Sequence, residues 1–353
     1  GSVFEPKGHK YIIDFEMDPV PVITYRVGGM VFRKSIIFSS KNEDQLLIKY
    51  TLVDAHSNTI LRLKPFLAFR NIHSLTRANS DADTHYRNIE NGVAFKMYRG
   101  FPDLNLQISK PCDYVASPDW YYDIFYREEY RRGFDCTEDL FVPGYFEMPI
   151  KKGETIIFSA STNECAPNTL KAKFTRELNA LDPQENYEDC LRDAAKQLFT
   201  TRNGKTEICA GYSWLESGLL RETCVALPGL TLYNDGNVKL FNRILSDTIS
   251  SHQEAILKGC NQVEAPLRLT EVVQHLISYT KDSAKAWSKY GNILKDIINS
   301  FIQGRPEVIL HNNGLLWAQK SGVALSWMDA YANGLPVTER AGYQVETNCF
   351  WYN

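Results

Sequence analysis

The sequence predicts a β-then-α protein, with an antiparallel β-sandwich in the first half and antiparallel helical hairpins in the second. Three observations carry this reading. Apolar residues recur with period two through the first half, the mark of half-buried strands. Short polar turns such as Asp54-Ala55-His56-Ser57-Asn58 and Lys151-Lys152-Gly153 separate some of these runs, which favours antiparallel over parallel pairing. Beyond residue 182 the apolar spacing changes to three and four. A chain of 353 residues has room for two such domains.

The strands come first. Leu46, Ile48, Tyr50 and Leu52 share one face of an extended segment, with Lys49 and Thr51 on the other. Leu61, Leu63, Leu67 and Phe69 alternate with Arg62 and Lys64, and 31–38, 93–98, 104–108, 121–130 and 155–159 read as similar β-runs. The helical half opens at Asp182-Pro183-Gln184-Glu185, where Asp is the expected N-cap, Pro the first helical residue and Glu the capping-box partner. Tyr187, Leu191, Ala194, Ala195 and Leu198 follow at helical spacing. So do Val238, Phe241, Ile244, Leu245 and Ile249, then Val272, Val273, Leu276 and Ile277. The clearest helix carries Trp287, Tyr290, Ile293, Leu294, Ile297, Ile298 and Phe301. The expected boundaries are a sandwich over 1–165, a linker over 166–182 and a helical domain over 183–353.

Charge excludes several partners. Lys plus Arg is 39 against 42 for Asp plus Glu, so nothing electrostatic points to nucleic acid or a membrane surface. No apolar run approaches the ~20 residues that span a bilayer. The eight cysteines are scattered without a Cys-x-x-Cys pair or neighbouring His, which reads as reduced thiols of a cytoplasmic protein with no metal and no cofactor. Gly1-Ser2 has the look of a cloning remnant.

Two blocks are more specific. One runs from Asp119-Trp120-Tyr121-Tyr122-Asp123 through Arg132-Gly133 to Glu138-Asp139-Leu140-Phe141-Val142-Pro143-Gly144, with Arg70-Asn71-Ile72-His73 upstream. The other runs from Leu325-Ser326-Trp327-Met328-Asp329-Ala330 through Pro336-Val337-Thr338-Glu339-Arg340 and Val345-Glu346-Thr347-Asn348 to Trp351-Tyr352-Asn353. Between them lie Ala210-Gly211-Tyr212-Ser213-Trp214, Arg221-Glu222-Thr223 and Leu227-Pro228-Gly229-Leu230. In this order the blocks resemble an interior portion of the archaeal and bacterial type glycogen debranching enzymes, the amylo-α-1,6-glucosidase family. Glu138-Asp139 is expected to be interface structure between domains.

The resemblance implies a sandwich beside an (α/α)₆ toroid, here partial, and inverting hydrolysis of α-1,6-linked glucose at glycogen branch points. It makes Asp329 the general acid, with an ordinary helix-capping Asp as the alternative. It makes Arg221, Glu222, Glu264, Arg340 and Glu346 substrate-binding residues and Trp214 and Trp327 stacking residues, as Trp351 could also be; structural ion pairs and core tryptophans are the alternatives. The substrate would be an α-glucan, glycogen or a limit dextrin. Inversion needs a second carboxylate roughly 6.5–9.5 Å from the acid. In the family that base lies beyond Trp-Tyr-Asn, so this chain alone is expected to be inactive and to need the remaining part of the parent enzyme. The departures are Glu222 for Asp, Glu264-Ala265-Pro266-Leu267-Arg268 for Asp-Ala-x-Leu-Trp, and Thr338-Glu339-Arg340 for Thr-Pro-Arg. They leave open a catalytically inactive α-glucan-binding scaffold, and a glucoamylase-like or trehalase-like hydrolase is a second rival.

Overall fold

Antiparallel pairing organises the first part of the chain. The computed structural model describes residues 6–17, 19–39, 44–182, 184–212 and 215–353. It divides into two units, Gly1–Glu185 and Asn186–Asn353. In the first unit the strands are β1 (Ile12–Glu16), β2 (Val22–Val27), β3 (Met30–Phe38), β4 (Gln45–Asp54), β5 (Thr59–Leu63), β6 (Tyr86–Ile89), β7 (Gly92–Phe95), β8 (Leu104–Ile108) and β9 (Asp113–Phe125). A short helix α1 (Arg127–Arg131), the strands β10 (Thr137–Ile150) and β11 (Thr155–Ser161), and helix α2 (Leu170–Asn179) complete it. One sheet has the order β1-β2-β3-β4-β11-β8-β7-β6, the other β5-β10-β9.

The faces follow the alternation. Ile48, Tyr50 and Leu52 of β4 join Phe95, Ile108, Phe141, Phe146 and Met148 in a core built from both sheets. The opposite face of β4 is not bare. Leu47 packs with Ile37 and Ile157 under Leu170 and Phe174 of α2, and the Lys49 ammonium lies 4.8 Å above the Phe174 ring. Residues 166–182, expected as linker, thus hold a 3₁₀ turn (Pro167–Thr169) and a helix that covers the sheet.

The run over 121–130 also divides. β9 stops at Phe125, and Glu128–Arg131 and Glu129–Arg132 pairs at i,i+3 support helix α1 instead. Leu67 makes a single bridge to Phe141, and Phe69 lies outside the strands.

Glu138, on β10, is fully buried. Arg70 grips it with both arms of its guanidinium, one at 2.9 Å, and Tyr126 Oη donates to it at 2.7 Å. Burial pushes its carboxyl up, but the hydrogen bonds from Arg70 and Tyr126 outweigh this and hold it below its ordinary value. Its folded pKa is depressed, so its contribution to stability is present above the unfolded value and is lost as pH falls through the folded one. Glu138→Gln leaves Arg70 facing a neutral group and is expected to cost about 3 kcal/mol. In urea denaturation the gap from the parent chain should narrow on going from neutral pH into the acid range.

In the second unit, α3 (Tyr187–Lys196) starts at Asn186, whose side chain accepts from Asp189 N at 3.0 Å. The helix start expected at Asp182 falls instead at Asn186, and Pro183 lies outside the described residues. A hairpin of β12 (Phe199–Arg202) and β13 (Lys205–Ile208) turns at Asn203-Gly204, both with positive φ, as a type I′ turn needs. Then come α4 (Leu220–Leu227), a π-helical turn (Pro228–Tyr233), α5 (Val238–Ser251), α6 (Gln253–Lys258), α7 (Ala265–Thr280) and α8 (Ser283–Gln303). Two small hairpins, β14 (Val308–Leu310) with β15 (Leu316–Ala318) and β16 (Tyr331–Ala332) with β17 (Leu335–Pro336), precede α9 (Val345–Tyr352).

The periodic residues of the three long helices build the core: Phe241, Ile244 and Leu245 of α5, Val272, Val273 and Leu276 of α7, and Tyr290, Leu294, Ile297 and Phe301 of α8. Helices α7 and α8 form a hairpin that reverses at Lys281, in the left-handed conformation, and Asp282, which caps α8. The observed order is therefore antiparallel sheets followed by helices. No helix among the described residues is long and apolar enough to cross a membrane.

Candidate active site

Three helix N-termini bring acids together in the second unit. Arg221 and Glu222 lie in the first turn of α4, Glu264 immediately precedes α7, and Glu346 is in the first turn of α9. A helix N-terminus favours a carboxylate through its unpaired N–H groups and dipole. Asp329 approaches from the loop after Leu325, which is fastened to the start of α7 by a Val263 N to Leu325 O hydrogen bond of 3.1 Å.

Arg221 is the hub. Its Nη2 donates to Asp329 Oδ2 at 2.7 Å and to Glu222 Oε1 at 2.7 Å, and its Nε donates to Glu222 Oε1 at 3.0 Å. Its Nη1 lies 3.7 Å from Glu264 Oε1. Burial works against the Arg221 charge, yet the hydrogen bonds to Asp329 and Glu222 raise its pKa above the ordinary value. The side chains differ in depth: Glu264 is 0% exposed, Arg221 13% and Asp329 44%. Burial pushes the Glu264 carboxyl above its ordinary value, with Glu346 adding to the rise; its own backbone N–H, Arg221 and Arg268 pull against it.

A second pair stands beside this hub. Arg340 forms a two-pronged contact with Glu346, one prong at 2.8 Å. Arg268 lies 4.3 Å over the Phe350 ring and pairs with Glu271 at 3.4 Å, so a stacked guanidinium stands where the family pattern has Trp. Sequence reasoning noticed Arg268 only as a departure. It passed over Thr223 and Ser326, whose hydroxyls are buried without a hydrogen bond.

Orphaned polar atoms concentrate here. Arg221 Nη1, Glu222 Oε2, Thr223 Oγ1, both oxygens of Glu264, Arg268 Nε and Ser326 Oγ are buried and have no hydrogen-bond partner. An unmet buried polar group costs about 1–3 kcal/mol, so such a concentration fits a surface built to be completed by a polar ligand. Charged donors and acceptors set at several angles suit a molecule rich in hydroxyls.

The remaining sequence candidates fall into three situations. Trp327 is half exposed beside Asp329 in the same loop. Trp214 lies outside the described residues. Trp351 packs on Phe301 and donates its indole N–H to Gly314 O at 3.1 Å, which is a packing role.

Comparison with known proteins gives two family matches. The model described as "Glycogen debranching enzyme N terminal" matches residues 1–157, and "Amylo-alpha-1,6-glucosidase" matches residues 193–353. No curated protein matches the chain. Among solved structures, a bacterial glucoamylase complexed with acarbose is similar at 12% identity and a TM-score of 0.39, over 82% of this chain and 49% of that one. The chain thus spans about half the length of that structure.

Proposed function

The chain belongs to the glycogen debranching enzyme family, and from that membership we propose that it acts in glycogen debranching, hydrolysing the α-1,6-linked glucose at a branch point with inversion. The observation that carries this reading is the group of carboxyls and orphaned polar atoms gathered around Arg221 next to Asp329. Its helices are part of an (α/α)₆ toroid with this group in the central cavity. Asp329 is the general acid that protonates the leaving glycosidic oxygen. Arg221, Glu222, Glu264 and the Arg340–Glu346 pair bind sugar hydroxyls, and Trp327 offers its half-exposed ring to a pyranose face. Glu222 and Glu346 are each tied to an arginine, so neither is assigned the water-activating role. A glycogen substrate and free thiols suit a cytoplasmic setting.

A second reading, an α-glucan-binding protein without turnover, is favoured by the ion pair that occupies Asp329. The two are separated by incubating the chain with a branched limit dextrin and, in parallel, with linear maltooligosaccharides, and measuring free glucose. Glucose from the branched substrate and little from the linear one is expected for debranching. Equal release from both would favour the glucoamylase-like rival. Binding to glycogen with no glucose released, even when the remaining part of the parent enzyme is supplied, would favour the inactive scaffold.

A further inference from the structure

We propose that Glu264 is the proton store for Asp329: when a sugar enters the site, Arg221 swings from Asp329 to Glu264, and one proton passes the other way. This inference rests on Asp329 being the general acid, and it replaces direct sugar contact by the fully buried Glu264 with a positioning role exerted through Arg221. The starting difficulty is chemical. A general acid must be free to offer its proton to the leaving oxygen, yet Asp329 Oδ2 is occupied by a 2.7 Å hydrogen bond from the Arg221 guanidinium. A substrate must break that contact before Asp329 can serve.

The structure provides somewhere for the guanidinium to go. Arg221 Nη1 is buried without a hydrogen bond and already lies 3.7 Å from Glu264 Oε1. Both oxygens of Glu264 are buried and take no hydrogen bond from another residue; the carboxyl has its own backbone N–H beside it. Burial raises the Glu264 pKa, against its own backbone N–H and the attraction of Arg221 and Arg268, and with the repulsion of Glu346. On its own helix α7, Arg268 is itself engaged by Glu271; from α4 come Arg221 and Glu222; from α9 comes Glu346, paired with Arg340; and Cys260 lies before the helix.

The exchange balances. The resting site holds protonated Glu264 beside an Asp329 carboxylate paired with Arg221. The loaded site holds a Glu264 carboxylate paired with Arg221 beside a protonated Asp329. One O–H bond breaks at Glu264 and one forms at Asp329, relayed by water or a sugar hydroxyl, and no net proton is drawn from solvent. The charge on Arg221 stays within hydrogen-bonding reach of Glu222 throughout, which limits the movement to a rotation of the guanidinium head.

The test reads the proton on Glu264 directly, through side-chain carboxyl NMR of the chain labelled with ¹³C-Glu, with Glu264 assigned by the signal lost in Glu264→Gln. Asp329→Asn removes the competing anion and frees Arg221 to turn onto Glu264. The Glu264 titration midpoint should then fall by about one pH unit or more. In an Arg221→Gln background the same Asp329→Asn change should move it by only a small fraction of that, because the messenger is gone. Should Arg221→Gln fail to fold, Arg221→Lys serves as the second background. Its single ammonium head cannot reach both carboxyls, and the fall should be at most half as large. An equal fall with and without Arg221, or no fall at all, would overturn the proposal. Failure of Asp329 as the acid would be seen elsewhere, as undiminished glucose release by Asp329→Asn.

Discussion

Asp329→Asn, measured with the remaining part of the parent enzyme supplied, is expected to lower glucose release from a branched limit dextrin by about 10²–10⁴-fold, the usual contribution of a positioned proton donor. Asn has the shape of Asp without its charge, and the loop stays fastened by the Val263 N to Leu325 O hydrogen bond while Glu222 continues to hold Arg221. The loop should therefore keep its place, and the dextrin should bind with an affinity within a few-fold of the parent chain. Loss of turnover with binding retained is the signature of a group needed in the transition state alone. The checks are initial rates of glucose formation and equilibrium binding on the same preparations. Retention of more than about a tenth of the rate would remove Asp329 from the acid role, since so small a loss, about 1.4 kcal/mol, is within reach of simple mispositioning.

The parts of this molecule legible in its sequence are those where one side of an element is buried and the other is not. Helices α5, α7 and α8 each carry an apolar stripe against the core, so their spacing could be read directly. Strand β10 could not be read that way. It lies between β5 and β9, and most of its residues from Glu138 to Phe146 are buried on both faces, which erases alternation. It attracted notice as a family motif, although its acids serve structure: Glu138 anchors Arg70 and Tyr126, and Asp139 accepts backbone hydrogen bonds from Ala78 and Asp123. Helix α2 was hidden because its apolar stripe is narrow: Leu170, Phe174 and Leu178 commit it to the sheet among lysines and an arginine. In the site, no local pattern could pair Arg221 with Asp329 across 108 positions; only the family resemblance put them on one page. That Glu264 is fully buried and unmatched is a property of packing around the start of α7, and it has no sequence signature.

Gly144→Ala is expected to be severely damaging to the sandwich, with a loss above about 4 kcal/mol or failure to fold. Gly144 follows Pro143 at a shift of register in the β10–β9 ladder, where Pro143 has no N–H to donate and a bulge can tolerate that lack. Tyr114 Oη donates to Pro143 O at 3.0 Å and fixes the bulge in place. Gly144 has φ of 150°, and a Cβ there would stand 2.2 Å from Val115 O, 3.0 Å from Ser117 N and 3.1 Å from Ala116 Cα. All three obstacles are backbone atoms of the neighbouring strand, so relief requires the ladder to part beside Phe141 and Phe146, both in the core between the sheets. Gly153→Ala isolates the steric part of the argument. Gly153 also has positive φ, 80°, but a Cβ there meets nothing within 4 Å. Its cost should be that of the backbone conformation alone, about 1–2 kcal/mol. Urea denaturation of the two variants beside the parent chain decides the matter. Equal losses would show that conformation, and not the approach of β9 to β10, makes glycine necessary at 144.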